Sequence, residues 1–218
     1  ALAVNWRTYE PLSGQGTREE EFWVATTYRK ERGNHKWWLN VDLFPEDSQS
    51  FYGGVEFLFG ERILTDLTLQ AGKTWGDPVP GHNTYRIGGN VTEGYFTQRP
   101  TRLFPLRGFD SNLLEAGTAA TGSLEVFWPL ANLQKGHKTF PLFLHRLRLG
   151  TFVDAGFAGG RPSEADLLCG AGFVLVTSME IAWGYLSAFR FGVAWPIKQP
   201  GFVDQKGPVC LIQLGRPL

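Results

Sequence analysis

The chain has little of what catalytic or metal-binding proteins usually show. Its two cysteines, Cys169 and Cys210, are too few for a disulfide framework and wrongly spaced for a metal knuckle. Whether they pair is left open by the sequence. The four histidines (His35, His82, His137 and His145) have no metal-ligand spacing, and neither cysteine has a histidine beside it. There is no Gly-x-Ser-x-Gly elbow and no phosphate loop ending in Gly-Lys-Ser/Thr. No enzyme, no cofactor and no metal site are therefore expected. Basic and acidic residues balance at 21 each, which argues against a nucleic-acid partner. The longest nearly apolar run, Leu167 to Val176, is about half of what a membrane helix needs. The only methionine is Met179, so residue 1 is not a translation start. A removed signal peptide or an upstream domain would each fit.

What is abundant is glycine (27 residues) and aromatic side chains (14%), a load that excludes a disordered chain. A length of 218 residues allows one domain, and residues 1–218 read as one. Alternation with period two runs through most of it. Within 187–197, Phe189, Phe191, Val193 and Trp195 oppose Arg190, Gly192 and Ala194. Within 143–157, Leu147, Leu149, Val153 and Phe157 oppose Arg146, Arg148, Phe152, Asp154 and Gly156. Similar patterns occupy 119–130, 63–75, 51–60 and 36–45, with weaker ones at 1–11, 19–31, 166–181 and 208–217. The reading is all-β, with ten strands in an antiparallel meander.

The connections fall into two kinds. One end has turns at 32–35, 61–62, 131–142 and 182–186; the other has 12–18, 46–50, 77–118, 158–165 and 198–207. Most of the first set are short. Loop 77–118, without a strand pattern of its own, is anomalous for a compact soluble domain. Long loops at one end and short turns at the other are the outer-membrane barrel pattern, here expected with ten to twelve strands. A soluble barrel binding an apolar ligand gives the same alternation with the opposite sign. Two details favour apolar side chains outside. The polar face is rich in glycine and mixed charges, as a crowded wet lumen would be, and Trp37, Phe51, Trp128, Phe157 and Trp195 fall near strand ends, as interfacial girdles do.

The long loop contains Leu106-Arg107-Gly108-Phe109-Asp110, preceded by Arg86-Ile87-Gly88-Gly89. Downstream lie Ser123-Leu124-Glu125-Val126-Phe127-Trp128-Pro129, then Phe152-Val153-Asp154-Ala155-Gly156, then a hairpin from Glu180 to Pro196. Four such motifs in this order resemble the bacterial surface antigen family, the outer-membrane insertases and translocases. The resemblance covers about residues 63–218; the first four strands are unassigned, and Gly89 and Leu106 stand further apart than the family usually has them. It implies an outer-membrane location and a loop folded into the lumen. It also implies a lock in which Arg107, Gly108 and Phe109 meet wall partners Glu125, Phe152, Asp154 and Gly156.

The residue types suit that role. Alternation alone puts Glu125 and Asp154 on polar faces of consecutive strands. Arg107 offers five donors in a planar fork that can also stack on a ring. The same alternation allows Glu125 to pair with Arg148, directly opposite if pairing is symmetric about 131–142. Asp42, Glu56 and Asp66 read as lumenal polar groups, although they could be read as an acid–base pair. The run Glu19-Glu20-Glu21 reads as a solvated rim. Expected partners are the outer-membrane bilayer, unfolded polypeptide clients, and an upstream periplasmic domain or partner subunits. The function implied is outer-membrane protein assembly or polypeptide transport. The alternative is a barrel that anchors or exports an attached domain.

Overall fold

In the computed structural model the described residues are 2–9, 19–32, 35–44, 48–76, 84–90, 102–137, 140–159, 167–182 and 184–215. All of their regular structure is β. Side chains up to Ser48 lie outside the description, and with them Trp37, Asp42, the Glu19–Glu21 run and the facing of segment 19–31. The strands are β1 (Leu2–Tyr9), β2 (Glu19–Arg32), β3 (His35–Phe44), β4 (Ser48–Phe59), β5 (Leu64–Gly76), β6 (Tyr85–Ile87), β7 (Leu103–Phe104), β8 (Leu114–Ala116), β9 (Thr118–His137), β10 (Phe140–Ala158), β11 (Leu168–Ile181), β12 (Tyr185–Lys198) and β13 (Val209–Gly215).

Ten of these form one antiparallel sheet in the order β1-β2-β3-β4-β5-β9-β10-β11-β12-β13. Consecutive strands pair as a meander because short connections can join only antiparallel neighbours. Among the described residues no ladder joins β1 to β13, so these two strands are the edges and the expected ring is not closed by the observed pairing.

Two expectations about connections are corrected. The turn placed at 131–142 is mostly strand, since β9 runs to His137 and β10 starts at Phe140. Register shifts between Phe140 and Phe143, Leu144 and Arg146, and Leu147 and Arg148 break the alternation there, and Gln134 has a φ of 45°. Bulges of this kind hide a strand from a period-two reading. They also move the register, so that Arg148 stands opposite Pro129 and Glu125 opposite Phe152. The cross-hairpin pairing of Glu125 with Arg148 is therefore absent. The second correction concerns loop 77–118, which has a sheet of its own. Strand β6 lies between β7, parallel to it, and β8, antiparallel to it. These strands have two or three residues each, too few for alternation to be read.

The two faces of the large sheet differ in an unusual direction. On β12, Phe189, Phe191 and Trp195 are exposed, while Gly192 and Ala194 are buried. On β11, Phe173 and Leu175 are exposed and Val174 and Val176 buried; on β9, Leu124 and Trp128 are exposed and Glu125 and Phe127 buried. The open face is the more apolar one. The buried, inner face is covered by residues 84–90 and 102–116 and bends round them. Arg190 Nη1 on β12 lies 3.9 Å from Glu125 Oε2 on β9, three strands away. A flat sheet would hold those backbones about 14 Å apart.

The inner face is also more apolar than a wet lumen would be. Phe127, Phe152, Val174, Val176, Ala188, Ala194 and Leu211 form one buried cluster on β9 to β13. A second joins the loop's Tyr85, Ile87, Phe104, Leu106 and Phe109 to Tyr52, Ala119, Leu168 and Val203. Tyr85, 0% exposed, fixes the small sheet to β4 and β5. Its hydroxyl donates to the carbonyls of Phe51 (3.0 Å) and Lys73 (3.3 Å), and a Cβ at Gly72 would lie 2.6 Å from its ring. Arg102 reinforces this arm, donating to Ser50 Oγ at 2.8 Å.

Replacing Tyr85 separates its two contributions. Tyr85→Phe keeps the ring and should lose about 1 kcal/mol of stability. Tyr85→Ala should lose about 3–5 kcal/mol. Equilibrium unfolding of the purified chain measures both, and equal losses from the two variants would show that the ring contributes nothing.

Candidate functional site

The candidate site lies where residues 106–109 cross the inner face between β9 and β12. Hydrogen bonds between the loop's two arms hold this segment in place. Leu106 N donates to Gly89 O (3.0 Å), Gly89 N to Phe109 O (3.2 Å) and Gly88 N to Phe104 O (3.2 Å). The Gly88-Gly89 step thus accepts and donates on the motif itself. Gly108 adopts φ 94°, open to glycine at little cost, and a Cβ there would come 2.8 Å from the carbonyl oxygen of Trp195 on β12. On β11, a Cβ at Gly170 would come 2.0 Å from Arg107 O, a backbone clash with no soft side chain to yield. Two glycines from opposite partners therefore set how close the loop lies to the wall.

Arg107 sits at the centre, 9% exposed. Its Nε donates to Asp154 Oδ2 at 2.7 Å and its Nη2 to Asp154 Oδ1 at 2.8 Å, a bidentate pairing. The Arg107 backbone N–H donates to the same Oδ2 at 3.0 Å. Nη2 also donates to Ser123 Oγ at 2.8 Å, and Nη1 lies 3.1 Å from Glu125 Oε2. The guanidinium carbon is 3.5 Å from the centre of the Phe152 ring, so the flat face is covered by an aromatic surface. Burial opposes the charge on Arg107, but Asp154 and then Glu125 outweigh it, and the guanidinium is held above its ordinary range.

The structure thus brings Arg107, Glu125, Phe152 and Asp154 into one contact set. Asp154 is 1% exposed and Glu125 6%. Phe109 is buried nearby in the loop's apolar cluster and takes no part in the ion pairs. Gly156 stands two residues beyond Asp154 and makes room for Ile87, whose Cδ1 a Cβ would approach to 2.8 Å. Of the carboxylates expected in the lumen, Asp66 lies directly opposite Glu125 on β5 and accepts a hydrogen bond from Thr68, while Glu56 stands one strand further, on β4.

Sequence reasoning did not single out Ser123, Gly170 or Arg190. Ser123 was legible in principle, being polar and two residues before Glu125 on the same face. Gly170 and Arg190 depend on which strands the loop crosses, which alternation does not encode. Among the described residues no group of three or more His, Cys, Asp or Glu side chains could hold a metal. The chemistry is that of a mechanical lock. A buried cation is held by two carboxylates, one hydroxyl and a ring, an arrangement that fixes where the loop stands on the wall.

Arg107→Ala and Asp154→Asn each remove one partner of a buried pair, which costs about 3–5 kcal/mol in a dry site and less where water enters. Each should release residues 106–109 while the large sheet stays folded. The double variant should be little worse than either single one, because the same interaction is being removed. Denaturant unfolding of all four chains closes the cycle; additive losses would show that the two residues act independently.

Compared with known proteins, the chain matches no family model, no curated protein and no solved structure.

Proposed function

We propose that this chain is an outer-membrane β-barrel whose loop 77–118 is locked into the lumen through Arg107, and that it acts in outer-membrane protein assembly or polypeptide transport, as in the surface antigen family. One observation carries the membrane part: burial is inverted. Arg107, Glu125 and Asp154 are inside, while Leu124, Val153, Phe173, Phe191 and Ile212 lie on the open face. A soluble monomer seldom exposes a contiguous apolar surface of more than a few hundred Å². Facing hydrocarbon, the same surface needs no other cover. Rim residues support the reading, with Trp75 and Trp195 exposed and Lys73 Nζ 5.1 Å from the Trp75 ring centre, an apolar stem beneath a charged head. Strands β4, β5, β9, β10, β11 and β12 have 12 to 20 residues, enough to cross a bilayer at a tilt.

The polypeptide-handling part rests on the resemblance and on the sheet's edges. Strand β13 has seven residues and follows Pro208, which cannot donate a ladder hydrogen bond. A client strand could add there in place of a full closing seam between β1 and β13. The packed interior favours such an edge over a route through the lumen. It equally favours the second reading, a barrel that anchors or exports an attached domain, because a filled barrel needs no passage.

Two measurements test these readings. Expressed in cells with an outer membrane, the chain should resist alkaline extraction from that membrane. Phe191→Arg, near the middle of β12, should lower stability in lipid by about 2–4 kcal/mol. A chain that stays monodisperse in detergent-free buffer would sink the membrane reading. Placed in liposomes, it should accelerate the folding of a denatured barrel client; no acceleration would leave the anchoring reading.

A further inference from the structure

We propose that the Arg107 lock controls the pairing of the edge strand β13, through two packed clusters that run from the loop to the connection before that strand and to its third residue, Leu211. The first passes above the lock. Phe109 and Leu106 share a buried cluster with Val203, which is 7% exposed and lies in the connection between β12 and β13. That connection is held as a turn by the hydrogen bond from Val203 N to Pro200 O (3.0 Å), and Gln205 N donates to the Gln199 side chain at 3.2 Å. Only five residues separate Val203 from Val209, where β13 begins. The second contact passes below. Phe152, the ring under the Arg107 guanidinium, belongs to the inner cluster that also contains Leu211 of β13.

Strand β13 has little else to hold it. Among the described residues it is laddered on one side only, to β12 from Ala188–Gly215 to Ala194–Val209. An edge strand with one ladder is among the first elements to open locally. The contacts that limit its opening include the β12 ladder, Leu211 with Val209 packed against the same inner cluster, and the Val203 anchor. Both side-chain anchors pack in clusters whose shape depends on the lock. Gly108 adds a link to the partner strand, because its close approach to the Trp195 carbonyl presses the loop against β12. With Arg107 engaged, β13 is clamped to β12; with Arg107 released, Phe109 and Phe152 lose their fixed positions and β13 opens more often. The use of such an edge by a client strand rests on the function proposed above, but the coupling itself does not.

Hydrogen exchange on the purified full chain in detergent micelles reads the coupling without any client. Arg107→Ala should speed exchange at residues 209–215 at least tenfold, together with 106–109, while β4 and β5 stay protected. Val203→Ser should speed exchange at 209–215 and leave 106–109 protected, and Val203→Ile should restore the original rates. If Arg107→Ala does not fold, Asp154→Asn gives the same comparison. Unchanged protection of 209–215 when 106–109 has loosened would overturn the proposal, as would a Val203→Ser chain whose β13 exchanges at the original rate. A positive exchange result combined with no effect on client folding would retain the coupling and remove only its proposed use.

Discussion

A single buried guanidinium sets the terms for the rest of this molecule. An unpaired charge in a protein interior costs several kcal/mol, so Arg107 can be enclosed only where acceptors are already aimed at it. Asp154 satisfies that need three times over, twice through the side chain and once through the backbone N–H. This requires Asp154 to point inward, which fixes the facing of β10 and, through its ladders, of β9 and β11. A one-residue slip would present Val153 or Ala155 to the guanidinium and leave the buried cation without its bidentate acceptor. Register and lock are therefore one constraint.

The inner wall and the loop are complementary in shape as well as in charge. A ten-strand barrel would be narrow, and its interior would have to be filled by something. Here the wall supplies little bulk at the points of contact. Gly72 receives the Tyr85 ring, Gly156 makes room for Ile87, Gly170 receives the Arg107 carbonyl, and Gly172 lies under Phe152. The loop supplies the missing volume with Tyr85, Phe104, Leu106 and Phe109. Glycines that read as the lining of a wet lumen are mostly landing sites for bulky side chains. The same fact accounts for the sheet's bend, since a wall without side chains can close tightly round an insert.

Much of this was legible in the sequence, for identifiable reasons. Alternation is local, so β4, β5, β10 and β12 and their facing could be read from residues such as Phe189, Arg190 and Phe191. The facing of Glu125 and Asp154 came from the same period of two, and Arg107 was picked out by the resemblance of Leu106-Arg107-Gly108-Phe109 to the surface antigen motif. Three things were not legible. Bulges near Gln134 and Leu144 interrupt the period, so the ends of β9 and β10 read as a turn and the register across them was misplaced. The small sheet has strands too short for any period. The Tyr85 anchor and the Val203 contact join residues far apart in the chain, through packing that only the path of the loop determines.

The lock and the apolar clusters divide the work between them. A buried ion pair adds little net stability over an apolar filling of the same volume, because desolvation offsets most of the attraction. Adhesion of the loop therefore comes mainly from the clusters around Phe109 and Tyr85, and these are non-directional. Such surfaces alone would tolerate a loop shifted by a residue or tilted against the wall. Arg107 does not tolerate it, because its bidentate contact to Asp154, its bond to Ser123 and its stacking on Phe152 meet in one geometry only. The clusters hold the loop inside, and the arginine decides where along the wall it stops. It stops beside β12, where the Gly108 contact reaches the strand that carries the sheet's last and shortest ladder.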